Sequence, residues 1–210
     1  MACMQCLGCL AGILGWIGLL IATCTNDWVV TCDIMSSNTA TCAKLEELGS
    51  KGLWADCVNK PGIYHCRVLT DILNLPVHIQ ACRALMIFAS VMGLPAVLVV
   101  LTTLPCIKLG SDMDSTKHAR NIAGGVLVLL MAVCALIATV WFPVSSYHQM
   151  TIVSFGYSLY LGWIGALLCL FGGFVIICCS GSSDEQTENS FYYSSQGAAA
   201  SPTHAKSAHV

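Results

Sequence analysis

Apolar residues in this chain gather in four long blocks separated by polar stretches: Leu7–Cys24, Ile79–Leu104, Ile122–Phe142 and Leu159–Cys179. None contains Lys, Asp or Glu, and the one charge inside them is Arg83, near the start of the second block. Crossing a hydrocarbon core of about 30 Å takes about 20 apolar residues in a helix. Block length therefore predicts four transmembrane helices. The organisation that follows is an N-terminus over 1–6, spans over 7–25, 79–104, 122–142 and 159–179, loops over 26–78, 105–121 and 143–158, and a tail over 180–210. Met1–Cys6 has no positive charge, so the first block reads as a helix and not as a cleaved leader.

The loop 105–121 carries Lys108, Lys117 and Arg120, whereas 143–158 carries no Lys or Arg. The positive-inside bias puts the former in the cytoplasm with both termini, and the first loop outside. That first loop holds Cys32, Cys42, Cys57 and Cys66. Four cysteines in an exposed loop suit an oxidising compartment and allow three connectivities. The stretch Gly52–Cys66, "GLWADCVNKPGIYHC", chooses among them. With Pro61-Gly62 as a turn, Lys60 faces Ile63, Val58 faces His65, and Cys57 faces Cys66 at disulfide distance. A longer turn with the same pairing sum serves equally. Cys32 and Cys42 are then the remaining pair. A lone hairpin is marginal, so further strands are expected from "DWVVTC" and from the residues around Thr39–Cys42. The expected fold is an all-α membrane bundle carrying a small antiparallel β-sheet.

Composition agrees with this: 56% of residues are apolar and 10% charged, against about 25% charged in soluble domains. A formal net charge of −2 leaves no basic surface for nucleic acid. Enzymatic chemistry finds no support, because no Ser/His/Asp set, glycine-rich phosphate loop or HExxH is present. Cys3, Cys6 and Cys9 form a CxxCxxC run, but a cluster wants a fourth thiolate, and on a helix the three make one stripe of small apolar residues. No cofactor or metal is expected. Cys106, Cys178 and Cys179 sit at cytoplasmic helix ends, where S-palmitoylation competes with a plain apolar reading. The tail is polar and Ser/Ala-rich, the composition of disorder. It ends "KSAHV", in which Ala208, His209 and Val210 suit capture by a PDZ domain.

Trp28, Gly52-Leu53-Trp54, Cys57, Cys66 and Arg83 form a set. Taken singly, Trp28 reads as an interfacial anchor and Arg83 as a snorkelling cation. Taken together between two spans, W…GLW…C…C resembles the signature of the claudin family. "QACRALM" at Gln80–Met86 and "SLYLGW" at Ser158–Trp163 resemble further claudin stretches.

The resemblance implies a left-handed four-helix bundle with an extracellular sheet of five strands. It also implies a non-enzymatic adhesion protein at tight junctions of the plasma membrane, which polymerises with itself in cis, meets an opposing cell in trans and binds zonula-occludens PDZ scaffolds. In that frame Ile72 takes the place of the cis-contact knob and Phe155 that of the receiving pocket. Arg67, beside the second loop-one cysteine, takes a position that sets paracellular charge selectivity. The hairpin register puts Asp56 opposite Arg67, which predicts partial neutralisation and a low-conductance barrier that hinders cations more than anions. The second loop, "PVSSYHQMTIVSFGYS", departs from the family pattern: it lacks the aromatic motif, and Ser154 stands where an acid is usual. An accessory subunit of a channel, which shares W-GLW-C-C, is the alternative.

Overall fold

The computed structural model describes residues 2–32, 48–60, 63–71, 75–102, 114–147 and 151–198. Their elements run in the order α1 (Ala2–Cys24), β1 (Val29–Cys32), β2 (Leu48–Lys51), β3 (Ala55–Lys60), β4 (Ile63–Val68), α2 (Val77–Thr102), α3 (Asp114–Tyr147), β5 (Thr151–Phe155) and α4 (Tyr157–Ala198). Each helix contains a segment long and apolar enough to cross a membrane: Cys3–Cys24, Val77–Thr102, Thr116–Tyr147 and Tyr157–Ser180. Lipid offers no hydrogen-bond partner, so such segments must satisfy their backbones internally, as helices do.

The bundle closes through small residues. The most extensive helix contact is between α1 and α4, followed by α2 with α3 and α3 with α4. A Cβ on Gly165 would lie 2.8 Å from the Gly15 carbonyl oxygen and 3.1 Å from the Leu19 nitrogen, so α1 and α4 touch backbone to backbone there. Close approach of this kind replaces the hydrophobic drive that helices lack in lipid. Leu19, Met86, Met131, Ala135, Ala166 and Ile176 are buried in the core these helices share. Polar contacts add orientation: the Trp16 indole donates to the Ser90 carbonyl at 3.0 Å, and Gln5 Nε2 donates to Asn121 Oδ1 at 3.1 Å.

At one end of the bundle stands a five-stranded sheet in the order β4-β3-β2-β1-β5, each neighbouring pair antiparallel. The β3–β4 register pairs Lys60 with Ile63, Val58 with His65, Cys57 with Cys66 and Asp56 with Arg67. This is the register that a two-residue turn demands.

Three features differ from the sequence reading. The fifth strand comes from the second loop: β5 pairs with β1, with a register shift between Val30 and Thr31. Its sequence TIVSF opens on three β-branched residues, which suit a pleated surface. The other expected source, around Thr39–Cys42, lies outside the described residues. Secondly, α3 runs past Phe142 to Tyr147 with Pro143 inside it; the ring removes one backbone bond, and the final turn still forms beyond it. Thirdly, α4 continues to Ala198, where a polar disordered tail was expected from Ser180. A helix already nucleated in the bundle extends at one bond per residue fixed, and no proline interrupts it before Pro202.

Candidate functional site

The segment between α1 and β1 organises the base of the sheet. Asn26 lies just past the end of α1, and its side chain makes three hydrogen bonds to one turn. Oδ1 accepts from the Trp54 and Ala55 backbone N–H groups at 3.0 and 2.8 Å, and Nδ2 donates to the Ala55 carbonyl at 2.8 Å. The turn must come very close to be held this way. A Cβ on Gly52 would stand 1.9 Å from the Asn26 carbonyl oxygen, so any side chain there collides with backbone. That contact is the physical reason for glycine in the GLW motif.

Both tryptophans then hang from the end of α1. The Trp28 indole N–H donates to the Ala22 carbonyl at 3.1 Å, and the Trp54 indole N–H to the Thr23 carbonyl at 2.6 Å. These carbonyls lie in the last turn of α1, where helices leave acceptors without partners. Trp28 is fully buried and packs edge-on against Phe142 of α3, with ring centroids 5.0 Å apart. Trp28 is thus core, and it ties the sheet to two helices.

Arg83 closes the cluster from α2. Its Nε donates to the Leu53 carbonyl, and Nη2 donates to the Leu69 carbonyl at 3.1 Å. The guanidinium lies 5.2 Å from the Trp54 ring centroid, a cation–π distance. Arg83 is therefore not a cation reaching for headgroups. Its rigid fork of donors bridges two carbonyls from separate loop segments, a task a lysine ammonium performs poorly. Leu53 is fully buried beneath it. Trp28, Gly52, Leu53, Trp54 and Arg83 are thus gathered into one joint.

Cys57 and Cys66 lie higher on the sheet, joined by a disulfide with Cα atoms 4.0 Å apart. Cys42 lies outside the described residues, and with it the Cys32–Cys42 pair. On the neighbouring row of the sheet, Asp56 stands between Lys51 of β2 and Arg67 of β4. Its carboxylate contacts Lys51 Nζ at 2.9 Å, while Arg67 is exposed. Asp56 is therefore engaged with Lys51, which the sequence reading passed over, and the expected neutralisation of Arg67 is correspondingly weakened.

Phe155 ends β5 opposite Val29 and is 42% exposed. It meets Trp163 and Tyr160 edge-on, at centroid distances of 5.7 and 6.5 Å. Ile72, Cys106, Ala208, His209 and Val210 lie outside the described residues. Cys178 and Cys179 lie within α4, Cys178 on its exposed side. Among the described residues no group of three or more His, Cys, Asp or Glu side chains gathers as a metal site.

Residues 2–176 match the family described as PMP-22/EMP/MP20/Claudin family. Claudin-11 of Homo sapiens is 58% identical over 208 residues, spanning 99% of this chain and 98% of its own length. The chain belongs to the claudin family. Claudin-11 of Mus musculus is 59% identical over the same span, and Claudin-1 of Mus musculus is 32% identical over 182 residues. In this claudin, sequence reasoning found the tryptophans, the glycine and the arginine, but missed Asn26, Lys51 and Phe142. Asn26 had a signal: an amide directly after an apolar helix and two residues before Trp28 suits a loop-closing role. Lys51 had one too, since it precedes Gly52 at a strand end.

Proposed function

We propose that this chain is a tight-junction strand protein that limits paracellular ion flow, hindering cations more than anions. The family membership supports the junctional role. Arg67, exposed on the outer strand beside the Cys57–Cys66 bond while Asp56 engages Lys51, carries the selectivity reading. In this assignment the sheet is extracellular and both termini are cytoplasmic, as the charge asymmetry of the short loops favours. Cys32 and Cys42 form the second disulfide. Lateral polymerisation uses Ile72 against the Phe155 surface of a neighbouring copy, and trans contacts meet the opposing cell. Ala208, His209 and Val210 bind a zonula-occludens PDZ domain, and Cys106, Cys178 and Cys179 are acylated.

Fibroblasts that lack junction strands, transfected with this chain alone, test the structural role by freeze-fracture. Continuous strands are expected; scattered particles would point instead to an accessory subunit. Dilution potentials across an epithelial sheet test the barrier. Asp56→Asn removes the one anion between two cations and should move permeability further from Na⁺ toward Cl⁻. A shift toward Na⁺ would sink the charge assignment.

A further inference from the structure

The run Cys3, Cys6 and Cys9 takes no part in the junctional reading, and α1 sorts its three thiols by exposure. Cys9 is buried, Cys6 is half-buried and Cys3 is exposed. Residues three and four apart on a helix are neighbours on one side of it. Cys3 stands four residues before Leu7, and Leu7, Leu10 and Leu14 are exposed along α1. On a helix that spans the membrane, such an apolar stripe faces lipid. Cys3 is therefore the head of the lipid-facing stripe of α1.

The fourth helix repeats the arrangement. Leu167, Phe171 and Phe174 are exposed along α4, and Cys178, also exposed, follows four residues later. The two stripes end at the same edge of the bundle. A Cβ on Gly8 would lie 3.0 Å from Val175 Cγ1, so α1 and α4 are still in contact within two turns of each thiol. Depth agrees. Both helices meet the base of the sheet, where the Ser158 N–H donates to the Asp27 carbonyl at 3.1 Å. At a rise of 1.5 Å per residue, Cys24 to Cys3 and Ser158 to Cys178 each span about 30 Å, the thickness of a hydrocarbon core. Both thiols thus lie at the membrane boundary away from the sheet. Cysteines at such a boundary accept reversible S-acylation.

We infer that Cys3 is an S-acylation site, its acyl chain lying along Leu7 and Leu10 as the counterpart of a chain on Cys178 across the α1–α4 seam. This rests on the proposed orientation and on acylation of α4, and extends the modification to α1. The Cys3 sulfur attacks the carbonyl carbon of a long-chain acyl thioester. A new C–S bond forms and the donor's C–S bond breaks. The donor leaves as a thiol, carrying the proton that Cys3 gave up, and no electrons change hands. Cys6 and Cys9 stay thiols because the bundle covers them.

The experiment counts acyl groups on the full chain expressed in epithelial cells. Thiols are blocked with a maleimide, thioesters are cleaved with neutral hydroxylamine, and each newly exposed thiol takes a mass tag read by gel shift. Cys3→Ala and Cys178→Ala are each expected to lose one tag relative to wild type, and the double variant two. Cys6→Ala should lose none. An antibody to the tail should stain only permeabilised cells. Wild-type tagging in Cys3→Ala, or a tag lost in Cys6→Ala, overturns the assignment. Cys178→Ala separates the two levels. If it loses a tag while Cys3→Ala does not, this inference alone fails. If neither loses one, or if the antibody stains intact cells, the cytoplasmic acylation reading fails and the inference with it.

Discussion

Where the sheet meets the bundle, side-chain hydrogen bonds tie the segments together: Asn26 holds a turn, two indoles donate to α1, and Arg83 bridges two carbonyls. At the outer strand β4 the reverse holds, with His65, Arg67 and Val68 exposed and Val68 62% accessible. Most of both regions comes from the one long loop, 26–78, yet their chemistry differs. The joint holds the sheet to the helices; the outer strand presents exposed side chains. Substitution at the joint should therefore act through folding, and substitution at the outer strand through selectivity with folding intact.

The sharpest way to break that contrast is Trp28→Ala. Truncating a fully buried tryptophan typically costs about 3–5 kcal/mol. The expected outcome is retention inside the cell, measured by surface biotinylation; normal surface delivery would mean that the joint is not the anchor. Asn26→Ala comes next. It strips the partner from two part-buried backbone N–H groups, each worth up to about 1–3 kcal/mol when left without a bond; the Ala55 carbonyl loses one donor and keeps the Gly52 N–H at 3.2 Å. Reduced thermal stability in detergent is expected, and Asn26→Asp, which keeps the acceptor oxygen, should recover part of it. The smallest effect belongs to Lys51–Asp56. Both are partly exposed, so a double-mutant cycle should give a coupling of about 0.2–1 kcal/mol. A much larger value would make this row part of the joint and erase the distinction.

Much of this was readable in the chain. Span length and charge exclusion give the helices, and the arithmetic of Asn59–Tyr64 around Pro61-Gly62 gives the β3–β4 register. What escaped has a common cause. β5 pairs with β1, and Asn26 bonds residues 54 and 55; neither relation has a local period, so no pattern along the chain announces it. The Lys51–Asp56 contact was missed for a related reason. The register named one partner for Asp56, and a second strand, β2, supplied a competing one. Pairing of adjacent strands is arithmetic, whereas competition among several strands requires the whole sheet.

The placement of β1 also carries a consequence for biosynthesis. β1 lies between β2 and β5, and among the described elements two helices and three strands separate it from β5 along the chain. During translation β1 through β4 emerge early, but one side of β1 keeps a row of unpaired backbone groups until β5 follows. The same late segment leads into α4, whose first turn bonds back to β1: Gly156 N–H donates to the Trp28 carbonyl at 2.9 Å and Ser158 N–H to the Asp27 carbonyl at 3.1 Å. An unpaired strand side invites pairing with other chains. The sheet of a nascent chain therefore keeps one open edge until β5 has been made, and β5 leads directly into the final span.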